Sequence, residues 1–151
     1  MVTVDVLKYS VECVKAVEEQ YGKKGGVASK FRSRAREFAE SFYYNDMTFM
    51  LTYIAAKSGE NYLVGELIRN DVSDIVKEIK RIKTSDDEKS YGIYGAFLSK
   101  YIQLINVFEK SPNNLGDFLL AVQEKSLILT PYILEFAKWL KRLSEAKFEA
   151  E

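Results

Sequence analysis

The sequence predicts an all-α fold, a compact single-domain bundle of about six to seven helices that spans residues 1–151. Its apolar residues recur mostly at spacings of three and four, which is the period of a helix face. Only two prolines and eight glycines interrupt the 151 residues, of which 47% are apolar. A chain of this length can bury one core and is short for two. One helical domain is therefore expected.

Six polar or glycine-containing breaks divide the chain into about seven segments, as expected of a bundle with short connections. They fall at residues 21–26, 44–46, 57–61, 83–89, 109–114 and 129–131. No run of about 18 apolar residues is present, so a membrane span is not expected. The N-terminal residues also lack the basic start and apolar stretch of a secretory signal. These features predict a cytoplasmic chain.

The segment 27–43 is predicted to be a helix with one aromatic face. That face carries Phe31, Ala35, Phe38 and Phe42. Lys30 and Arg34 follow one edge of it. Arg32 and Arg36 follow the other edge. Long basic side chains at such edges can cover apolar surface with their stems while their charges stay in water.

The segment 62–82 is predicted to be a single amphipathic helix. Its apolar side carries Val64, Ile68, Val72, Ile75, Ile79 and Ile82. Its opposite side carries Arg69, Lys77, Lys80 and Arg81. The next segment, 91–108, is apolar almost all round with Lys100 as its only charge, and a helix of that kind is usually central. The acidic run 86–88 before it is interpreted as a loop with N-cap residues for a helix that begins near Ser90.

The last helix is predicted to begin at Pro131, because proline suits a first helical turn and Thr130 can serve as the N-cap. Its expected core face comprises Tyr132, Ile133, Phe136, Trp139, Leu140 and Leu143. Trp139 is the sole tryptophan and is expected to pack inside the core.

A basic segment, residues 23–36, is the main functional signal. It contains six basic residues and no acidic one: Lys23, Lys24, Lys30, Arg32, Arg34 and Arg36. Because the whole chain is neutral, with 22 basic and 22 acidic residues, this local block predicts a surface that meets a polyanion. A solvated helix edge with a basic loop explains the pattern about equally well.

The chemistry of phosphate binding fits the basic segment. The glycines at 22, 25 and 26 would let Lys23 and Lys24 reach toward a phosphate, and arginine donates two parallel hydrogen bonds to one. Tyr43, Tyr44 and Tyr53 could stack on nucleobases if exposed, although aromatic residues at helical spacing are more often core. Any nucleic-acid contact should therefore be to phosphate and should not select a base sequence.

Several catalytic classes are excluded or weakened by composition. Histidine is absent, which removes Ser-His-Asp and Cys-His nucleophile systems and two-histidine zinc sites. Cys13 stands alone, so an internal disulfide is impossible and a reducing compartment fits. Asp71, Asp74 and Glu78 could share a helix face and hold Mg²⁺, but ion pairs with interleaved basic residues explain them better. No catalytic residue, metal site or cofactor is predicted.

Two stretches resemble a known family. Residues 30–54 resemble the basic helix and Asn-containing turn of the small subunit of the Cmr complex, the type III-B CRISPR–Cas effector that targets RNA. Phe38-Ala39 stands where that family has Leu-Pro, and 45–47 (Asn-Asp-Met) stands where it has Asn-Gly-Leu. The C-terminal stretch is more similar, and the matching residues are Thr130, Glu135, Trp139, Leu140, Lys141, Arg142 and Ala146.

The resemblance implies a helical, non-catalytic subunit. Such subunits stack in several copies along the backbone subunits that hold the guide RNA, and they line the channel for the target RNA. The implied partners are therefore the backbone subunit, guide and target RNA, and further copies of the chain. The resemblance also places basic residues at Lys141 and Arg142, which become second-rank RNA-binding candidates.

Three alternatives remain open at this point. The chain could be the small subunit of a related effector, type III-A or type I-A, with the same implied role. It could be a helical adaptor that joins proteins, with residues 23–36 pairing against acidic patches. It could also be a carboxylate-metal phosphohydrolase or nuclease built around the acidic residues of 71–78.

Overall fold

The computed structural model describes residues 4–105 and 111–151, and every regular element in these ranges is helical. Their seven α-helices are α1 (Val6–Tyr21), α2 (Gly26–Tyr44), α3 (Met47–Ser58), α4 (Val72–Arg81), α5 (Asp86–Ile105), α6 (Leu115–Glu124) and α7 (Ser126–Lys147). Two short 3₁₀ turns, Glu60–Tyr62 and Leu67–Arg69, connect α3 to α4. The prediction of an all-α fold is confirmed.

Aspartate or asparagine side chains cap the starts of four helices. Asp5, Asp46, Asp71 and Asn114 each accept a hydrogen bond from a backbone N–H in the first turn, at 2.7–3.0 Å. Each bond satisfies one of the donors that a helix start leaves without an internal partner. The predicted breaks at 21–26, 44–46 and 57–61 coincide with helix ends. Residues 109–110 of the break at 109–114 lie outside the described residues.

Helix α5 lies at the centre of the fold, as its uniformly apolar sequence predicts. All side chains from Ser90 to Ser99 are buried, and α2, α3 and α4 pack around them. The Phe97 ring meets Phe31 of α2 edge to face, with centroids 5.8 Å apart. Residues 106–108 of the predicted central segment lie outside the described residues.

Helices α2 and α7 pack against each other and run antiparallel. Near the start of α2, Phe31 contacts Phe148, which directly follows α7, and their ring centroids are 6.1 Å apart. Near the end of α2, Phe42 lines the same small cavity as Ile133 of α7. The predicted face of α2 is confirmed, because Phe31, Ala35, Phe38 and Phe42 are all buried. This pairing fixes which edges of the two helices face water.

The prediction of one helix over 62–82 is wrong. The backbone leaves the helical path between Tyr62 and Val72, where Gly65 has a φ of 107°, and α4 begins only after its cap Asp71. The apolar pattern misled because Val64 and Ile68 are buried although they lie outside an α-helix. Ile82, which follows the end of α4, is 42% exposed and does not belong to the core.

The interpretation of 86–88 as a loop is also wrong. Helix α5 already begins at Asp86, and Ser85 caps it by accepting a hydrogen bond from the Glu88 N–H at 3.1 Å. The acidic residues therefore lie in the first turn of the helix, where negative charge interacts favourably with the helix dipole.

The last helix begins five residues earlier than predicted, at Ser126, so the break at 129–131 does not exist. Thr130 is not its N-cap, since its hydroxyl donates to the Ser126 carbonyl from inside the helix. Pro131 is the sixth residue of this helix, so it removes one intrahelical hydrogen bond, the one that would reach the carbonyl of residue 127. The predicted core face is confirmed for Ile133, Phe136 and Leu140, which are fully buried. It is wrong for exposed Tyr132 and only partly right for half-buried Trp139 and Leu143.

Two buried tyrosines predict stability changes of opposite sign. The Tyr9 hydroxyl donates to the Phe97 carbonyl at 2.8 Å, whereas the Tyr94 hydroxyl has no hydrogen-bond partner among residues 4–105 and 111–151. Burial raises the pKa of both phenols well above the usual range, so both stay neutral. Tyr94→Phe should raise the free energy of unfolding by about 1 kcal/mol, and Tyr9→Phe should lower it by about 1 kcal/mol. Urea unfolding of both variants checks this, and a loss of stability in Tyr94→Phe would contradict it.

Candidate nucleic-acid interface

Four cations of the basic segment 23–36 lie on α2, and they are divided between two sides of that helix. Lys30 and Arg34 lie on the edge that faces α5. The Arg34 guanidinium stacks over the Tyr91 ring at 4.4 Å from its centroid and lies 4.0 Å from the Glu37 carboxylate. Because its side chain is only 14% exposed, Arg34 serves mainly as part of the packing between α2 and α5.

Lys30 is held by acidic groups of two distant parts of the chain. Its ammonium lies 3.5 Å from Asp87 of α5 and 3.3 Å from Glu151. The Ser33 hydroxyl also donates to Glu151, at 2.6 Å. The hydrogen bond to Glu151 raises the pKa of Lys30, and the bonds from Ser33 and Lys30 lower the pKa of Glu151. The C-terminal residues thus lie against the start of α2, where the Glu149 N–H also donates to the Lys23 carbonyl.

Four of the six cations in the basic segment have an acidic partner. Besides Lys30 and Arg34, these are Lys23, which lies 3.7 Å from Glu18, and Arg36, which lies 3.4 Å from Glu145 of α7. Lys24 and Arg32 pair with no acid among the described residues. Exposed pairs such as the one at Arg36 contribute about 0–1 kcal/mol, so a phosphate can replace the carboxylate at little cost.

A groove of about 510 Å³ runs between the end of α2 and the middle of α7. We call it the α2–α7 groove, and its lining residues are Ala39, Glu40, Tyr43, Tyr44, Lys138, Lys141 and Arg142. Three cations thus face a single carboxylate. None of these three cations forms an ion pair with any residue that the structure describes. The groove therefore combines net positive charge with cations that are free to meet an external anion.

The tyrosines of this groove are exposed. Tyr43 is 67% exposed and Tyr44 is 75% exposed, and their rings meet edge to face with centroids 5.2 Å apart. Tyr53 was also predicted to stack on a nucleobase if exposed. It is half-buried and packs against Phe38 and Tyr91. The exposed pair was visible in the sequence as two aromatic residues off the stripe that Phe31 and Phe38 define.

The groove continues into the outer edge of α2. Arg32 and Arg36 precede Tyr43 by eleven and seven residues, spacings that put all three on one side of a helix. Lys138 was not among the predicted RNA-binding residues, although its spacing of three and four from Lys141 and Arg142 places it on the same face of α7. We define the basic face as Arg32, Arg36, Lys138, Lys141 and Arg142.

The acidic residues of α4 have structural roles. Asp71 caps the helix by accepting a hydrogen bond from the Asp74 N–H, and Glu78 pairs with Arg81 at 2.7 Å. In the part of the chain that the structure describes, no group of three or more acidic or cysteine side chains is arranged to hold a metal ion. No helix of that part is both long and apolar enough to cross a membrane.

Comparison with known proteins gives consistent matches over almost the full chain. The family model described as CRISPR-associated protein (Cas_Cmr5) matches residues 4–147. The chain is 28% identical to the CRISPR system CMR subunit Cmr5 of Saccharolobus solfataricus, over 94% of this chain and 92% of that protein. Its fold also matches a chain in the cryo-EM structure of the type III-B Cmr-beta complex bound to non-cognate target RNA. That match has a TM-score of 0.75 and 22% identity, over 99% of this chain and 100% of the other.

Proposed function

The chain belongs to the Cmr5 family of CRISPR-associated proteins, and on that premise we propose that it is a non-catalytic structural subunit of a type III-B effector that contacts RNA phosphates. The observation that carries the RNA contact is the basic face. Its three α7 cations have no acidic partner among the described residues and line a groove open to solvent. Phosphate contacts position a nucleic acid without reading its bases, which suits a subunit that must accept any target sequence.

The cations on the two sides of α2 have different roles in this proposal. Arg34 stacks on Tyr91, and Lys30 holds the C-terminal residues, so these two cations stabilise the fold of the subunit. Arg32 and Arg36 lie on the edge that continues into the α2–α7 groove. We therefore assign the RNA contact to the basic face and remove Lys30 and Arg34 from the first rank of RNA-binding residues.

Repetition of the subunit would strengthen its RNA contact. A patch of about five charges gives only modest affinity for a single strand at physiological salt. Several copies stacked along the backbone subunits would meet the same strand, and each later contact would then be intramolecular. In this proposal the partners are the backbone subunit, further copies of the chain, guide RNA and target RNA.

The test is target-RNA affinity across a salt series, measured on the effector assembled with its backbone subunits. Changing Lys138, Lys141 and Arg142 to glutamate should weaken RNA capture. The salt slope should fall by about 0.7 for each lost phosphate contact, or about 2 for all three.

The matched control changes Lys15, Lys77 and Lys83 to glutamate. These exposed lysines lie outside the groove and pair with no acid among the described residues, so the control moves the same charge without breaking an ion pair. Equal affinities and slopes for wild type and both variants would contradict the RNA contact.

A protein adaptor is the second candidate function, and one observation favours it. Leu120 of α6 and both Leu127 and Ile128 of α7 are exposed on either side of the connection between these helices. Exposed apolar side chains near one helix connection suit a contact with another protein. If the charge reversal on α7 disrupts assembly and leaves RNA affinity unchanged in the complexes that do form, the adaptor function takes first place.

A further inference from the structure

We propose that the α2–α7 groove binds unpaired nucleobases of RNA, with Tyr43 and Tyr44 as the stacking platform. This inference rests on the proposed RNA contact and adds a ligand to it, since the proposed function itself involves only phosphates. The chemical class of the ligand is a single-stranded nucleotide. Its base would lie against a tyrosine ring, and its phosphates would lie near the α7 cations.

The exposure of the two tyrosines has no structural explanation within the fold. Phe42, which directly precedes them, is buried, as are Phe31 and Phe38 on the same helix. Tyr43 and Tyr44 instead point away from this stripe in the last turn of α2. Neither hydroxyl forms a hydrogen bond with any residue in the described ranges. Large rings left in water at a helix end are thus available to an external partner.

The arrangement of the two rings suits a base. Because they meet edge to face at 72°, at least one face of each ring is not covered by the other. A base that stacks on a free tyrosine face should gain about 1–3 kcal/mol of binding free energy. Every base has a flat π-face that can stack in this way. The site would therefore tolerate any sequence, as the phosphate contacts do.

The charges around the rings identify the ligand further. Lys138, Lys141 and Arg142 line the same groove against the single carboxylate of Glu40. An apolar peptide would leave these cations unpaired, and a purely anionic ligand would leave the rings unused. A nucleotide satisfies both, because it joins a flat aromatic base to a phosphate. The groove volume of about 510 Å³ is also within the range of small-ligand sites.

The test compares an ordinary RNA of mixed sequence with an abasic oligomer of equal length. Each oligomer has about 12 nucleotides, within the usual site sizes for single strands. Binding of the full chain is measured at low salt by fluorescence anisotropy of the labelled oligomer. Tyr43→Ala and Tyr44→Ala should each weaken binding to the ordinary RNA by about five- to a hundredfold. They should leave binding to the abasic oligomer unchanged. Tyr43→Phe and Tyr44→Phe keep the ring and should bind like wild type.

The matched control is Phe49→Ala, which removes an exposed aromatic side chain that does not line the groove. Its affinity for both oligomers should equal that of wild type. Equal affinity of wild type for the ordinary and abasic oligomers would overturn the stacking proposal and leave the phosphate contact intact. If wild type shows no salt-dependent binding to either oligomer, both proposals are overturned. Tighter binding of a poly-glutamate peptide than of the ordinary RNA would identify the groove as a site for acidic protein segments.

Discussion

Replacing Phe38 with alanine should lower the free energy of unfolding by about 3–5 kcal/mol, because it empties the centre of an aromatic cluster. The Phe38 side chain is fully buried. Its ring centroid lies 4.9 Å from that of Tyr94, 5.9 Å from Phe42, 6.1 Å from Tyr91 and 6.2 Å from Tyr53. These rings join α2 to both α3 and α5, so the loss should affect the whole core.

Chemical denaturation of Phe38→Ala and of Phe49→Ala provides the measurement and its control. Phe49 is 63% exposed, so removing its ring should change the free energy of unfolding by at most about 0.5 kcal/mol. The two variants remove the same atoms and differ only in burial. A loss below about 1 kcal/mol for Phe38→Ala would show that the cluster does not hold α2 against the central helix.

The helix faces could be predicted wherever the backbone stays helical and the apolar residues keep their period. Phe31 and Phe38 on α2 and the continuous apolar run of α5 are examples, since burial follows from position on the helix alone. Helix ends were harder to predict. The start of α7 was predicted at Pro131 because proline favours a first turn, whereas the helix contains Pro131 as its sixth residue, at the cost of one intrahelical hydrogen bond.

The segment between α3 and α4 shows a second limit of periodicity. Val64 and Ile68 keep the helical spacing and are buried, yet they lie on either side of a glycine with positive φ. Burial can therefore follow a period of four without a continuous α-helix. In the sequence, only the presence of a glycine at position 65 indicated that the backbone there could adopt a positive φ.

The family was correctly inferred from the sequence. Which cations of the site are paired with acids could be seen only in the folded structure. Lys30 meets Glu151 and Arg36 meets Glu145, which lie more than a hundred positions away along the chain. No local pattern shows that such pairs exist. The α2–α7 groove likewise arises from two helices at opposite ends of the sequence, so Lys138 could not be placed beside Tyr43 before the fold was known.

Gly95 is expected to be among the positions least tolerant of a larger side chain. It lies on α5 against Ile54 of α3, and a Cβ atom there would meet Ile54 Cγ2 at 2.7 Å and Leu63 Cδ1 at 3.2 Å. Both neighbours are fully buried. The side chain of Ile54 is β-branched within a helix and has one strongly preferred rotamer, so it cannot turn aside. Gly95→Val should therefore lower the free energy of unfolding by about 3 kcal/mol through overpacking.

A matched control separates this clash from the general preference of helices for other residues over glycine. Gly116 lies in the first turn of α6, where an added Cβ would make only an ordinary contact at 3.4 Å with Asn114. Gly116→Ala should raise the free energy of unfolding by about 0.5–1 kcal/mol, because alanine loses less backbone entropy in a helix. Gly95→Ala has the same favourable change in backbone entropy, but its Cβ atom clashes with Ile54. Denaturation should therefore show this variant to be less stable than wild type. Stabilisation of both alanine variants would mean that α3 can move away from α5, and that the close approach at Gly95 does not fix the spacing of these two helices.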